Sequence, residues 1–366
     1  MNAAAHASIR LLVLPGDGIG PEISAATAAV LRALGEVADV GVAFEKAAIG
    51  FAALAESGTT FPDRVLEAAR QADGVVLGPV SHNAYPPVAE GGLNPSGELR
   101  RRLDLYANIR PARTPPGFPS RVGRPVDLVI VRENTEGFYA DRSMFLGPGE
   151  MMPTADLALA IRKITREGST RIAESAFAIA GQRPRCHVTA VHKANVLRVS
   201  DGLFLDCVRA VAARHPDIAY EEKIVDAMAA LLVRDPGAFD VIVTTNMFGD
   251  ILSDEASEIA GSLGLAASLN AGRDHAVAQA QHGSAPDIAG RDVANPASLI
   301  GSAGMLLGWL GERRGHPKLT RAAHLLDDAL DHVLADPAGR TADLGGPLGT
   351  RAFTRRVIEA VRAGGA

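Results

Sequence analysis

Aromatic side chains are scarce, with one Trp, four Tyr and eleven Phe making up only 4% of 366 residues. A core short of rings has to be closed by Ala, Val, Leu and Ile, and a hydrophobic content of 47% supplies them. Cysteine is scarcer. Cys186 and Cys207 are the two in the chain, which excludes a disulfide framework and leaves no cysteine spacing suited to a metal; each reads as a small buried residue. Positive charge is not in surplus, because 37 Lys and Arg face 42 Asp and Glu, for a net charge of -5. No basic block interleaves with aromatics, so the sequence carries no nucleic-acid footprint. Long apolar runs are also missing: none reaches the ~18 residues needed to span a bilayer. Met1 to Arg10 lacks the charged and apolar regions of a secretion signal. The expectation is a cytoplasmic, soluble chain of about two domains at ~150 residues each, with no membrane partner.

The most informative stretch runs from Phe239 to Asp254. Phe239 to Thr245 is apolar and β-branched and reads as a buried strand; Asn246-Met247-Phe248-Gly249-Asp250 then opens a helical pattern. Asp250 and Asp254 are one helical turn apart, on one face. Two readings are open for the pair. It is either an acidic helix start that complements the dipole, or a site where a hard cation with oxygen ligands, Mg2+ or Mn2+, relieves the repulsion. Ligands in open α/β sheets collect beyond the carboxyl ends of strands, where this pair would lie.

Earlier in the chain, Ile9 to Leu14 is a strand candidate that runs into Pro15-Gly16-Asp17-Gly18-Ile19-Gly20-Pro21-Glu22, a turn and helix start. Its glycines are spaced G-x-G-x-G and not G-x-G-x-x-G, so phosphate cradle and tight turn are both open. A helix follows over Ala25 to Leu34, with Gly35 as its stop. Gly74 to Leu77 is a buried strand, and Val80 to Gly92 is a candidate binding loop. Arg100, Arg110 and Arg132 form a group suited to clamping carboxylates in bidentate fashion. Tyr139 closes the segment after Arg132. Met144 to Met152 reads as a loop or arm, and Leu157 to Ala180 as the longest helix. Cys186 to Val191 is a strand that delivers Lys193, the best general-base candidate among few lysines. Asp226 adds an acid after another short apolar run. His282 to Gly290 is a loop of small residues whose backbone N–H groups could approach a nucleotide. Leu299 to Leu310 and Arg321 to Leu334 read as amphipathic helices.

Together these blocks resemble the β-decarboxylating dehydrogenases, the isocitrate/isopropylmalate dehydrogenase family. The resemblance rests on LPGDGIGPE at 14–22, LDLYANIRPAR at 103–113, VRENTEGFY at 131–139, HKANVL at 192–197, VDAMA at 225–229, TTNMFGDILSD at 244–254, HGSAPDIAG at 282–290 and DLGG at 343–346. It implies an α/β fold of two domains with a mixed sheet, unlike the standard Rossmann fold. Residues 1–106 with 262–366 would form the cofactor domain, and 107–261 the substrate, metal and dimerisation domain. It also implies a homodimer with shared active sites. By matching positions, Asp250 and Asp254 would hold the metal with Asp226 of the other subunit. Arg100, Arg110 and Arg132 would clamp the substrate, Lys193 would be the base and Tyr139 the acid. Asn195 would meet the nicotinamide end of the cofactor; His282, Gly283, Ser284, Ala285, Asp287, Ile288 and Asn295 would form the adenosine site. The carboxylate of Asp287 suits the ribose 2'-hydroxyl of NAD and repels the 2'-phosphate of NADP.

The implied reaction is NAD- and metal-dependent oxidative decarboxylation of a 3-substituted (R)-malate, as in 3-isopropylmalate dehydrogenases. Homoisocitrate, isocitrate, tartrate and D-malate are the alternative substrates, and a non-catalytic regulatory subunit is the alternative class. Two departures bear on this choice. The family commonly has Glu three residues before the HG of the adenosine loop, where this chain has Gln279. At Asn94 to Glu98, where isopropylmalate enzymes bury an isopropyl group under leucines, this chain has Ser96 and Gly97, which suits a polar or smaller substituent. A phosphoryl-transfer enzyme is disfavoured because G-x-x-x-x-G-K-[ST] is missing.

Overall fold

The computed structural model describes residues 8–139, 144 and 149–365. Met1 to Ala7 and residues 145–148 of the Met144–Met152 loop or arm lie outside the described residues. The strands are β1 (Ser8–Leu14), β2 (Gly41–Lys46), β3 (Gly74–Leu77), β4 (Ala107–Arg113), β5 (Asp127–Glu133), β6 (Glu150–Thr154), β7 (Leu157–Ala160), β8 (His187–His192), β9 (Ala219–Ile224), β10 (Val241–Thr244), β11 (Leu269–Ala271) and β12 (Ala276–Gln279). Ten of them make one sheet in the order β2-β1-β3-β12-β11-β4-β5-β10-β8-β9, and β6 pairs with β7 in a separate hairpin. Antiparallel pairing within the large sheet is confined to its middle, at β12–β11, β11–β4 and β4–β5. All other pairs are parallel; the short apolar strands β3 and β10 are buried along their whole length, covered on both faces, whereas the edge strands β2 and β9 are more exposed. This strand order is not that of the standard Rossmann fold.

Four apolar clusters fill the two faces of the sheet. The largest lies between β1, β11, β12 and the helices α1 (Gly20–Ala38), α9 (Ala297–Arg314), α10 (Pro317–Ala335) and α11 (Thr350–Gly364). Opposite it, α2 (Gly50–Ser57), α3 (Asp63–Gln71) and α4 (Pro95–Arg102) flank a second cluster. The other half of the sheet is covered by α5 (Arg166–Ala180) and α6 (Ser200–Ala212) on one face. On its other face lie α7 (Val225–Arg234) and α8 (Asn246–Ala260).

Several boundaries differ from those read in the sequence. The α1 helix runs past Gly35 and ends at Asp39, whose φ of 54° is left-handed. The helix expected over Leu157 to Ala180 starts only at Arg166, and Leu157–Ala160 is a strand. Thr165 is the reason for the late start, because its hydroxyl accepts from Gly168 N at 3.0 Å and caps the helix there. The alternation Leu157-Ala158-Leu159-Ala160 also suits an extended chain. The Val80–Gly92 loop contains two single 3-10 turns, at His82–Ala84 and Val88–Glu90.

Candidate active site

Register across β4 and β5 sets the floor of the site. Asn108 stands opposite Arg132, and side chains two apart on a strand share a face, so Asn108, Arg110 and Arg132 all point the same way. Helix α8 covers that face. It can lie close because residue 249 is glycine: a Cβ there would be 2.6 Å from Arg132 Cγ. The helix supplies the partners that let two guanidiniums be buried. Arg132, 2% exposed, donates to Asn246 Oδ1 from Nε at 3.0 Å and from a terminal nitrogen at 2.6 Å, and pairs with Asp250. Arg110 donates to Ser253 Oγ at 2.7 Å, Asp250 Oδ1 at 3.1 Å and Asp254 Oδ1 at 3.4 Å. One arginine reaching both carboxylates confirms that Asp250 and Asp254 share a face of α8.

The electrostatics follow from this crowding. Burial, with Arg132 as a like charge beside it, lowers the pKa of Arg110 to about 10. Burial works to raise the pKa of Asp250, but Arg132, Arg110 and Arg100 outweigh it and hold the carboxyl below its ordinary value. Tyr139 donates to Asp250 Oδ2 at 3.3 Å. Above this floor is a cavity of about 240 Å3. Of the residues singled out in the sequence, Ser96, Gly97, Arg100, Arg110, Arg132, Tyr139, Asp250, Gln279, His282 and Gly283 line it. Asp254 stands at its edge, held by Gln281 Nε2 at 2.6 Å.

The two glycine-containing loops meet beside the cavity. Ile19 N donates to Ser284 O at 2.8 Å, and a Cβ on Gly18 would be 2.0 Å from that same oxygen. Ser284 Oγ is 2.7 Å from Ser81 Oγ. Asp17 accepts from Phe51 N and Ser81 N, both at 2.9 Å, and from Tyr85. Close backbone approach therefore accounts for Gly18 without a phosphate. Further along, Ala285 has a left-handed φ of 36°, and Asp287 lies exposed in the 3-10 turn Pro286–Ile288. In the turn before α9, Asn295 Oδ1 accepts from Ala297 N at 2.9 Å, and its Nδ2 donates to Asp343 at 3.0 Å. His282 Nδ1 is 3.0 Å from Gly283 O, while its buried Nε2 has no partner; burial lowers its pKa, so the ring is kept neutral.

Lys193 and Asp226 are not among the residues lining this cavity. They pair with each other where β8 ends and α7 begins, and Asn195 is exposed nearby on the loop after Lys193. Among the described residues no group of three His, Cys, Asp or Glu could hold a metal within one chain. Sequence reasoning did not single out Asn246, Ser253 or Gln281 as site residues. The spacing of Ser253 in α8 could have marked it, since it falls between the two aspartates; Gln281 offers no local signal.

By class, this is a mixed-sheet α/β protein with an arginine- and aspartate-lined cavity suited to small organic acids. The sequence profile of the isocitrate/isopropylmalate dehydrogenases matches residues 10–361. Relatives include an isocitrate/homoisocitrate dehydrogenase of Thermus thermophilus, 43% identical over 97% of this chain and 99% of its own. A 3-isopropylmalate dehydrogenase of Methanothermobacter thermautotrophicus is 40% identical over 94% and 95%. The crystal structure of isocitrate dehydrogenase from Methylococcus capsulatus superposes with a TM-score of 0.85 at 40% identity, covering 97% of this chain and 99% of that one. The chain belongs to the isocitrate/isopropylmalate dehydrogenase family. It is an oxidoreductase acting on a CH–OH group with decarboxylation, in a family that uses NAD(P) and a divalent metal. No described helix is long and apolar enough to cross a membrane.

Proposed function

We propose that the protein is an NAD- and Mg2+- or Mn2+-dependent oxidative decarboxylase of a 3-substituted (R)-malate whose substituent is polar, as in isocitrate or homoisocitrate. The observation that carries this reading is the lining of the cavity. Arg100, Arg110 and Arg132 enter it together, while its apolar lining is limited to Pro79, Val80 and Ala280. Three guanidiniums suit a polycarboxylate, and among the described residues no Leu or Ile lines the cavity.

The donor set fits the absent groups. Asp250 and Asp254 offer carboxylate oxygens on one face of α8, with side chains 36% and 55% exposed, which suits a hard divalent cation. His282 Nε2 is a buried polar atom without a partner, as expected where an adenine would sit. When bound, the cation stabilises developing oxyanion charge and the nicotinamide accepts hydride. Arg100, Arg110 and Arg132 hold and orient the substrate carboxylates. Lys193 takes the hydroxyl proton as the carbonyl forms, and Tyr139 returns a proton to C3 after CO2 has left. Asn195 contacts the nicotinamide end, and Asp287 accepts from the adenosine ribose, which favours NAD.

Lys193 and Asp226 would reach the site of a second copy, making a homodimer with two shared sites. Exposed apolar side chains on the covering elements support such an interface: Val233, Ile251, Met152 and Leu159 are 55%, 59%, 68% and 48% exposed. The two pairs of apolar clusters support a division into 1–106 with 262–366 and 107–261. The test is reduction of NAD and of NADP with isocitrate and homoisocitrate, with Mg2+ and after chelation. NAD reduction that chelation abolishes is expected; turnover without metal, or with NADP alone, contradicts the reading.

A further inference from the structure

Gln279 is the last residue of β12 and part of the cavity wall facing α4. Its Oε1 accepts from Ser96 Oγ at 2.9 Å, Asn270 Nδ2 at 3.3 Å and an Arg100 terminal nitrogen at 3.4 Å. Those donors fix the orientation of the amide, because a flipped group would turn its NH2 towards an amide NH2 and a guanidinium that cannot accept. Nε2 is therefore the free end. It donates to no described residue, yet it is not one of the buried atoms left without a partner, so it is open to the cavity. Ser96, itself 7% exposed, lines the same wall.

We infer that Gln279 is a specificity-determining residue, whose Nε2 donates to a carboxylate at the end of the C3 substituent while its Oε1 holds Ser96 and Arg100 in position. The inference rests on the reading of the substrate as a 3-substituted malate and narrows the substituent to an acidic one. Under an alkyl group this donor would lose water and gain no acceptor, a penalty that selects against hydrocarbon substituents. Under a carboxylate it is satisfied, with the Arg100 guanidinium beside it to balance the charge. A Glu at this position could pair with Arg100, but it would present an acceptor and a negative charge to the same carboxylate.

The test compares kcat/KM for isocitrate, homoisocitrate, 3-isopropylmalate and D-malate in the wild type, Gln279→Leu and Gln279→Glu, with thermal melts to establish folding. The wild type is expected to prefer one of the two tricarboxylates. Both variants are expected to lose about 10- to 100-fold on the tricarboxylates, the scale of a hydrogen bond to a charged group. With the penalised donor gone, Gln279→Leu should raise kcat/KM for 3-isopropylmalate, while in both variants kcat/KM for D-malate should fall severalfold less than for the tricarboxylates and the KM for NAD should change little, a split that loss of packing alone would not produce. Equal losses on all substrates, a change confined to the KM for NAD, or a wild-type preference for D-malate or 3-isopropylmalate would overturn the inference. A wild type inactive on all four would instead sink the functional reading beneath it.

Discussion

Replacing Asp250 with Asn keeps the shape of the side chain and removes the charge that two buried arginines share. Arg132 would keep Asn246, and Arg110 would keep Ser253, Asn108 and the longer contact to Asp254 at 3.4 Å, but Arg132 would lose its own counter-charge and the two guanidiniums would be left with Asp254 alone. Breaking a buried ion pair by removing one partner costs ~3–5 kcal/mol. The Asp250 side chain is 36% exposed, and screening by water brings the expected loss down to about 2–3 kcal/mol. An unfolding entropy of ~2.1 cal/mol/K per residue over 366 residues gives about 0.8 kcal/mol/K. The melting temperature of Asp250→Asn should thus fall by about 3–4 °C near neutral pH, measured by differential scanning calorimetry without substrate. The folded-state pKa of Asp250 is lowered, so the stability it contributes is present above the unfolded-state value and lost as pH falls through the folded one. The gap between wild type and variant should accordingly narrow towards acid pH. An unchanged melting temperature at neutral pH, or a gap that widens on acidification, would refute the reasoning.

Three further outcomes are expected. Lys193→Met and Asp250→Asn should each be inactive alone, yet mixed subunits should recover about a quarter of wild-type activity, because half the dimers would carry one intact shared site; no recovery on unfolding and refolding the mixture contradicts shared sites. Asp287→Arg should lower kcat/KM for NAD by about tenfold or more and raise it for NADP, and an unchanged cofactor ratio would remove Asp287 from the ribose. Burial raises the pKa of Asp327 to about 6 against the pull of Arg113, with Asp331 adding to the rise. Ionising it opposes folding, so Asp327→Asn should raise the melting temperature above pH 6, with the gain fading as pH falls from 6 towards the unfolded-state value. A gain confined to acid pH would reverse that argument.

What could be read from the sequence was what local pattern encodes. The strand–helix unit from Val241 to Ala260 was legible because a β-branched run gives way to helical spacing at Asn246. The arginine group was legible as residue types, and the cavity collects Arg100, Arg110 and Arg132 as a group. The start of α5 was misplaced because apolar content over Leu157 to Ala180 hides a change of period at Thr165. Long-range contacts left no local trace. Gln281 on Asp254, 27 residues away, and Ser284 under Gly18 are consequences of strand order, which no short motif records. The absence of Asp226 from the lining of the cavity within one chain belongs to the same group, because the completion by a second copy proposed above would rest on contacts between chains that a single sequence does not juxtapose.

The most direct test of the account is the stoichiometry of CO2 released to NADH formed, for each of isocitrate, homoisocitrate, 3-isopropylmalate and D-malate in the presence of Mg2+. Equimolar CO2 and NADH are expected, with the highest kcat/KM on a substrate whose C3 substituent ends in a carboxylate. Highest turnover on 3-isopropylmalate or D-malate, or NADH without CO2, would contradict it.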